Sequence, residues 1–407
     1  MKKIDVKEIK KDFPIFETNP SLVYLDSAAS SQTAVPVLNT MEEYYTYFRS
    51  NVHRGLYQIS QAATVKYENA RETVAEFIGA KEKEIIFTGG ATLSINLLIY
   101  SLEQSFNFKK GDRVVTSVME HHSNLIPLQE LAKRRKLDIV YIDVKDDFTF
   151  DYEQAEKLIN KDTKIISLTL ASNVLGTIND IKKISSLAHK MGALLIVDAT
   201  KAVGHMELNV KDLDCDFLFF SGHKMCGPTG IGVLYGKEEI LEKLNPGFFG
   251  GGIVYQVTRE GAKWGAIPGR FEAGTPNIAG AIGLAAACDY LTNIGLKEVH
   301  EHTLELLDYA LLEMRKIDDL ETFWKGDSDK NIGVLSFIVE GIHPHDMAEI
   351  ASRDNVAIRA GHHCSALLME SLKVPATNRV SFYVYNSKED VDIFIETIKK
   401  AKKIFKI

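Results

Sequence analysis

The sequence predicts an α/β protein: a large domain built on a mostly parallel sheet covered by helices, and a smaller α+β domain. Two observations carry this prediction. Short apolar runs alternate with segments of helical spacing over residues 85–200, and this pattern changes near residue 292. At about 150 residues per domain, the 407-residue chain suits two domains, and its 45% of apolar residues suffice for a sizeable core.

The first part of the chain contains a series of buried strands separated by helices. Strands that are apolar throughout and alternate with helices favour a parallel sheet covered on both faces. Little room for a helix remains between the last two strands. The predicted strands are 85–88, 113–118, 138–143, 164–170, 193–199, 216–221 and 231–236, and the predicted helices are 92–103, 124–135, 152–160 and 180–190.

The C-terminal part has a different order of elements. A long helical stretch at 296–316 leads to apolar runs at 333–340, 356–360 and 380–385, with helices between them. This order predicts the smaller α+β domain. We place the large domain at residues 15–292 and the small domain at residues 1–14 together with 293–407.

Composition excludes several classes of protein. The chain has 48 basic and 55 acidic residues and no basic block, so nucleic-acid binding has no support. No stretch approaches the ~18 uninterrupted apolar residues of a membrane span. The charged start lacks the apolar core of a signal peptide. Four cysteines do not make a disulfide scaffold, so we expect a reducing cytoplasm.

Two strand ends carry residues with specific chemistry. Asp198 closes one apolar run, and Lys224 follows the next in the segment Ser221-Gly222-His223-Lys224. The carboxyl ends of adjacent strands are where ligands bind in open α/β sheets. Alone, the two residues fit a helix cap and a solvated lysine. Together they match the needs of pyridoxal phosphate, which takes a lysine for covalent attachment and a carboxylate for its ring nitrogen.

A glycine turn supplies a possible phosphate site. The strand at 85–88 runs into Gly89-Gly90-Ala91-Thr92 and then a helix, whose first backbone N–H groups can bind an anion. By itself this signal is weak, since such a turn often serves only as a turn. The segment 222–228 lacks the Lys-Ser/Thr ending of a nucleotide-binding loop.

Seven segments resemble the cysteine desulfurases of the class V aminotransferase family, which are fold type I pyridoxal-phosphate enzymes. Within that family the resemblance is to the branch serving iron–sulfur cluster assembly. The matching segments span nearly the whole chain in the family's order. They are YLDSAAS (24–30), NVHRG (51–55), MEHHSN (119–124), SNVLGT (172–177), SGHKMCGPTGIGVLYG (221–236), RFEAGTPN (270–277) and RAGHHC (359–364).

This resemblance implies a role for individual residues. Lys224 and His121 are implied to be catalytic, with His121 stacked on the cofactor ring. The remaining implied cofactor-binding residues are Ala91, Thr92, Asn173, Asp198, Lys201, Ser221, His223 and, from the neighbouring subunit of a homodimer, Thr275. The implied substrate-binding residues are Asn173, Arg359 and Arg379, and a guanidinium suits the bidentate binding of an α-carboxylate.

Cys364 determines the reaction that the resemblance implies. It lies in a polar, partly cationic segment that favours the thiolate, whereas Cys215, Cys226 and Cys288 lie in or beside apolar runs. The expected activity converts L-cysteine to L-alanine and leaves a persulfide on Cys364 for an acceptor protein. A metal at His362-His363-Cys364 is not expected, because no second ligand cluster accompanies it.

Three sites depart from the family's pattern. Lys201 occupies a position where the family has glutamine, which puts a second amine beside the cofactor. Ala91 and Leu93 replace the usual neighbours of Thr92, and the acidic residue expected after Gly250-Gly251-Gly252 is missing. Selenocysteine or cysteine sulfinate as the substrate, or a weakened paralogue serving as a partner-binding subunit, remain alternatives.

The segment Gly341-Ile342-His343-Pro344-His345-Asp346 suggests how sulfur leaves the enzyme. Its plain interpretation is a strand-to-helix turn, stiffened by Pro344, with Asp346 capping the helix. The segment also resembles the desulfurase branch that works with a small zinc-containing sulfur acceptor. Since neutral imidazole is a good zinc ligand, we expect His343, or else His345, to bind the acceptor's zinc.

Overall fold

The structure, a computed structural model, describes residues 4–407 except for the side chain of Ser328. The strands are β1 (Val23–Tyr24), β2 (Ile85–Thr88), β3 (Arg113–Ser117), β4 (Asp138–Ile142), β5 (Thr163–Thr169), β6 (Leu194–Asp198), β7 (Phe217–Ser221), β8 (Gly232–Gly236), β9 (Val254–Val257), β10 (Ala262–Trp264), β11 (Leu320–Thr322), β12 (Val334–Val339), β13 (Val356–Ala357), β14 (Arg359–Gly361) and β15 (Thr377–Ser381).

The helices alternate with these strands through the first part of the chain. They are α1 (Val6–Lys10), α2 (Pro14–Thr18), α3 (Val35–Tyr47), α4 (Gln58–Ile78), α5 (Ala91–Ser105), α6 (His122–Arg135), α7 (Tyr152–Leu158), α8 (Ile181–Met191), α9 (Val210–Leu213), α10 (Glu238–Leu241), α11 (Ile278–Ile294), α12 (Leu296–Met314), α13 (Pro344–Arg353), α14 (Ala366–Ser371) and α15 (Lys388–Phe405).

The large sheet has the strand order β2-β8-β7-β6-β5-β3-β4. Strands β3 to β7 pair in parallel, and β8 is antiparallel to both of its neighbours. Alternate residues of one strand enter separate cores: Ile85 and Phe87 pack on one side of the sheet and Ile86 on the other. Both faces of the sheet are therefore buried, which explains why its strands are apolar throughout. The predicted fold class is confirmed.

A second, antiparallel sheet has the order β11-β12-β15-β14 and packs on α12, α13 and α15. Its core also takes in Val23 and Leu25, because β1 pairs with β13. The predicted domain boundaries stay a prediction. No single helix within residues 4–407 is long and apolar enough to cross a membrane; α11 and α12 reach that length and composition only as a pair bent by 73°.

Three local predictions were wrong in the C-terminal part. The strand predicted at 380–385 is β15, which ends at Ser381, and the aromatic residues after it are buried without joining the sheet. The run at 356–360 splits into β13 and β14, which belong to different sheets. The cap of α13 is His343, whose Nδ1 accepts from the backbone N–H of His345, so Asp346 lies within the first turn.

Candidate active site

A cavity of about 530 Å³ opens where the carboxyl ends of the large sheet's parallel strands face the second sheet. Asp198 ends β6, Ser221 ends β7, and His121 follows β3. The fold therefore brings residues distant in sequence to one place, as expected at the carboxyl edge of an open α/β sheet. The predicted site residues that line this cavity are Ala91, Thr92, His121, Asn173, Asp198, Lys201, Ser221, His223, Lys224, Arg359, Cys364 and Arg379.

Lys224 lies in a short turn after β7. Burial lowers the pKa of its amine to about 8, and the carboxylate of Asp198 opposes that shift. Asp198 is itself buried, which raises the pKa of its carboxyl group, and its Oδ1 accepts from the backbone N–H of Thr200 at 2.9 Å. The cavity thus pairs an amine that loses its proton easily with a carboxylate fixed by the backbone.

His121 presents a neutral imidazole to the cavity. Its Nδ1 accepts from the backbone N–H of Ser123 at 3.1 Å, which leaves the proton on Nε2. Burial, followed by the charge of Lys224, lowers the pKa of His121 to about 3. An uncharged ring of this kind can stack on a flat heterocycle without adding positive charge to the site.

The start of α5 forms a cradle suited to an anion. Gly90 has φ 134°, a conformation open to glycine, and the backbone N–H of Ala91 donates to Ser221 Oγ at 2.8 Å. The Oγ1 of Thr92 lies 2.8 Å from Ser123 Oγ, so hydroxyl groups converge beside the free N–H groups of the first helical turn.

The donor set fits pyridoxal phosphate. A lysine, a buried carboxylate and a neutral imidazole line one cavity, and a helix start with hydroxyl groups lies at its edge. These are the groups that a phosphorylated pyridine aldehyde needs for attachment, ring protonation, stacking and phosphate binding. In contrast, no group of three or more His, Cys, Asp or Glu side chains among residues 4–407 could hold a metal ion.

Lys201 is buried beside Lys224, and its Nζ donates to the backbone carbonyl of Ala28. Burial, followed by the charge of Lys224, lowers the pKa of Lys201 well below its ordinary value. The second amine expected at this position is therefore inside the cavity, in surroundings that disfavour its charged form. A negative oxygen on a bound ligand would favour that charged form.

Arg379 is the buried cation of the site. Its Nη1 donates to the backbone carbonyl of Asn173 at 2.9 Å, and its Nη2 donates to Asp26 at 2.8 Å. Arg359 reaches the other oxygen of Asp26 at 3.3 Å but is half exposed. The Nε of Arg379 has no partner among the described residues. A guanidinium that lines a cavity and keeps N–H groups without partners is suited to a carboxylate ligand.

The Cys364 loop, residues 361–366, enters the cavity from the small sheet. Cys364 and His363 both have left-handed backbones, with φ 56° and 52°, which costs about 1–3 kcal/mol per residue for side chains other than glycine. The Nδ2 of Asn173 donates to the carbonyl of His363 at 2.8 Å, and its Oδ1 accepts from Ser365 Oγ at 3.1 Å. Asn173 therefore holds this strained loop as well as lining the cavity.

Cys364 is the exposed cysteine of the four. The other three are buried, and burial raises the pKa of their thiols, to about 12 for Cys215 and Cys226 and further for Cys288. A buried thiol with a raised pKa is a poor nucleophile. The contrast that the sequence predicted between Cys364 and the rest is present in the structure.

Two predicted residues lie outside the cavity. Thr275 lines a separate depression of about 370 Å³, near the end of α3 and the segment 49–51. His343 is occupied as the cap of α13, whereas His345 lines the cavity that contains Cys364. The structure therefore brings together the site residues except Thr275, and between the two histidines it favours His345.

Sequence reasoning assigned no role to three residues that shape the site. Asp26 binds both arginines, and His122 contacts the Cys364 loop. Glu120 is buried behind His121, where burial raises the pKa of its carboxyl group to about 8 while Asn124 donates to it at 2.7 Å. All three belong to the quoted segments YLDSAAS and MEHHSN, which were the available signal.

Comparison with known proteins agrees with this geometry. Residues 23–394 match the aminotransferase class-V family. The chain is 46% identical over 406 residues to a "Probable cysteine desulfurase" of Halalkalibacterium halodurans, with 99% of each chain covered, and 48% identical over 405 residues to one of Staphylococcus epidermidis, with 98% covered.

Solved structures of similar proteins cover almost the entire chain. The apo cysteine desulfurase of Thermococcus onnurineus superposes with a TM-score of 0.94 at 41% identity, covering 99% of both chains. The Escherichia coli cysteine desulfurase CsdA, in an S-sulfonic acid form, superposes with a TM-score of 0.92 at 34% identity, covering 99% of this chain and all of that one.

Proposed function

We propose that this chain, which belongs to the class-V aminotransferase family, is a pyridoxal-phosphate-dependent cysteine desulfurase. It converts L-cysteine to L-alanine and passes the sulfur to an acceptor protein for iron–sulfur cluster assembly. The observation that carries the proposal is the single cavity that contains Lys224, Asp198 and the exposed thiol of Cys364. The similarity to cysteine desulfurases over the full length supports the same conclusion.

Bound pyridoxal phosphate supplies an electron sink that permits cleavage of the substrate's Cα–H bond and then of its carbon–sulfur bond. Lys224 would attach the cofactor and, when its amine is free, could move the Cα proton, a task for which its lowered pKa suits it. Asp198 would hold a proton at the ring nitrogen. His121 would pack on the ring, and Ser221 would contribute to the phosphate cradle with the start of α5.

The substrate is held by its carboxylate and attacked at its sulfur. Arg379 binds the carboxylate with guanidinium N–H groups that its bonds to Asp26 and to the backbone of Asn173 leave free. The Cys364 thiolate then attacks the substrate sulfur: a sulfur–sulfur bond forms and the carbon–sulfur bond breaks. The electron pair of the broken carbon–sulfur bond stays with the substrate carbon, which takes up a proton. Alanine then leaves, and a persulfide remains on Cys364.

The test is a single-turnover experiment on the purified holoenzyme. Incubation with cysteine should yield alanine and add one sulfur to Cys364, located by peptide mass spectrometry. A Cys364→Ser variant should retain the cofactor and form no persulfide. Cofactor binding without alanine from cysteine would contradict the proposal and favour a partner-binding paralogue. Cysteine sulfinate desulfination requires no thiolate, so equal turnover of sulfinate by Cys364→Ser would favour that substrate.

The active unit is proposed to be a homodimer. Large apolar side chains are exposed around the depression that Thr275 lines. Tyr45 is 56% exposed, Tyr47 74% and Leu56 92%. Exposed apolar groups clustered in this way are typical of protein interfaces. A partner subunit would cover these exposed side chains, and Thr275 would then bind the cofactor phosphate in the partner's cavity. A monomeric mass by light scattering, or a Thr275→Ala variant with unchanged cofactor affinity, would contradict this arrangement.

The sulfur acceptor is proposed to be a small zinc-containing protein that docks over the cavity mouth. His345 is the residue we now favour as its zinc ligand, because it lines the cavity with Cys364 while His343 caps α13. His345→Ala should keep basal alanine formation and lose stimulation by the acceptor. His343→Ala is the matched control and should retain stimulation. Full stimulation of the double variant would exclude a ligand role for this segment.

A further inference from the structure

The backbone of the Cys364 loop just after its nucleophile is held at two points by one residue from the large sheet's side of the cavity. His122 is the first residue of α6, and its backbone N–H donates to the carbonyl of Cys364 at 2.7 Å. Its imidazole Nε2 accepts from the backbone N–H of Ala366 at 3.1 Å. Ala366 in turn begins α14, so the contact fixes the point where the Cys364 loop becomes helical.

The second contact requires an uncharged ring. An imidazole that accepts at Nε2 must carry its proton on Nδ1, and protonation of Nε2 would replace attraction by repulsion. Burial, followed by the nearby His362, lowers the pKa of His122, which keeps the acceptor available at neutral pH. The rings of His122 and His362 lie 5.7 Å apart, and the Nδ1 of His362 accepts from the backbone N–H of Cys364 at 3.1 Å.

These contacts act on a backbone that would relax without them. His363 and Cys364 are both left-handed, a conformation that side chains other than glycine adopt only when surrounding contacts impose it. Asn173 holds the carbonyl of His363, upstream of the nucleophile, and His122 holds the carbonyl of Cys364 and the N–H of Ala366, downstream of it. The nucleophile is therefore clamped between two anchors from the opposite side of the cavity.

We propose that His122 is a positioning residue for the sulfur transfer step: its imidazole fixes the downstream end of the Cys364 loop, so that the thiolate faces the substrate sulfur. This inference rests on the proposed desulfurase function. His122 donates and accepts nothing in the reaction itself. Its contribution is to hold the loop in the conformation from which Cys364 attacks.

Two amide variants of the holoenzyme separate this role from a general effect on folding. His122→Gln places a carbonyl oxygen about as far along the side chain as Nε2, so it can still accept from Ala366. His122→Asn is equally polar but one methylene shorter, so it cannot reach. Hydrogen–deuterium exchange at the N–H of Ala366 reports the contact directly, and steady-state alanine formation reports its consequence.

For His122→Asn we expect faster exchange at Ala366 and a kcat lower by roughly three- to tenfold, the effect of one lost hydrogen bond. The KM for cysteine should change by less than about twofold, because Arg379 and its partners are untouched. His122→Gln should restore both values. Wild-type exchange and kcat in the Asn variant, or an Asn defect that Gln does not repair, would overturn the proposal.

Cofactor content and melting temperature are measured alongside. A lower kcat explained by lost cofactor or by a raised KM would also overturn the proposal, since His122 would then serve the cavity as a whole. If wild-type protein itself formed no alanine, the desulfurase function would fail. The exchange at Ala366 would still test the anchor independently, because it needs no turnover.

Discussion

The attachment of pyridoxal phosphate to Lys224 should depend on pH with a midpoint near 8. Burial lowers the pKa of this amine from 10.5 to about 8. At pH 7 about 10% of such amines are unprotonated, against about 0.03% of ordinary lysines, so the nucleophilic form is roughly 300-fold more abundant. Below the midpoint, the attachment rate should fall about tenfold per pH unit; above it, the rate should level off.

Two neighbouring charges allow the direction of the pKa shift to be tested. The carboxylate of Asp198 raises the pKa of Lys224 and the guanidinium of Arg379 lowers it. Asp198→Asn should therefore move the midpoint to lower pH, and Arg379→Gln should move it to higher pH. Cofactor-free protein is mixed with pyridoxal phosphate across a pH series and followed by absorbance. The same series with Nα-acetyl-lysine corrects for the cofactor's own ionisation.

A midpoint near 10.5 would refute the reasoning, because it would mean that burial does not perturb the amine. Midpoints that shift in the same direction in both variants would refute the electrostatic part alone. Lys224→Ala is the background control. After borohydride reduction it should carry no cofactor at residue 224 by mass spectrometry.

Three further predictions concern other parts of the molecule. Iodoacetamide should modify Cys364 in the native protein and spare the other three cysteines, which are buried; peptide mass spectrometry decides, and native labelling of a buried cysteine would contradict it. Lys201→Gln should raise the pKa of the bound chromophore, because a cofactor phenolate favours the ammonium form of Lys201, and this positive charge disfavours a second positive charge on the chromophore. A spectral titration that the substitution leaves unchanged would mean that Lys201 does not act on the chromophore. Arg71→Ala should cost about 3–5 kcal/mol in urea unfolding, because it leaves the charge of Glu272 buried without a cationic partner. Arg353→Ala, in an exposed pair, should cost less than about 1 kcal/mol, and equal losses would count against the burial argument.

The elements of the large sheet could be predicted from sequence because each strand is apolar on both faces. The predicted strand at 85–88 matches β2, and the others agree within one or two residues. The run at 380–385 is equally apolar but leaves the sheet after Ser381, and its later residues pack into the hydrophobic core. Apolarity reports burial, and only long-range packing decides whether a buried segment also pairs.

The predicted cap of α13 was wrong for a related reason. Asp346 is the usual choice for a helix cap, but Pro344 fits the first helical turn, where its missing N–H costs nothing. With the proline inside the helix, the residue before it becomes the cap, and His343 can fill that place because Nδ1 is an acceptor. Backbone geometry prevailed over side-chain preference, and it also leaves His345 free to face the cavity.

The reactive residues of the site could be predicted from the sequence, whereas the residues that position them through hydrogen bonds could not. Lys224 was predicted from its pairing with Asp198 at adjacent strand ends, and Cys364 from its polar segment and the resemblance of that segment to the family. Asp26 and His122 act on partners 353 and 244 residues away, respectively. Their membership of segments that resemble the family was the available signal, and it does not say which partner each residue holds. Because the thiol enters from the small sheet and the lysine stands on the large one, the reaction depends on these cross-cavity contacts as directly as on the reactive groups themselves.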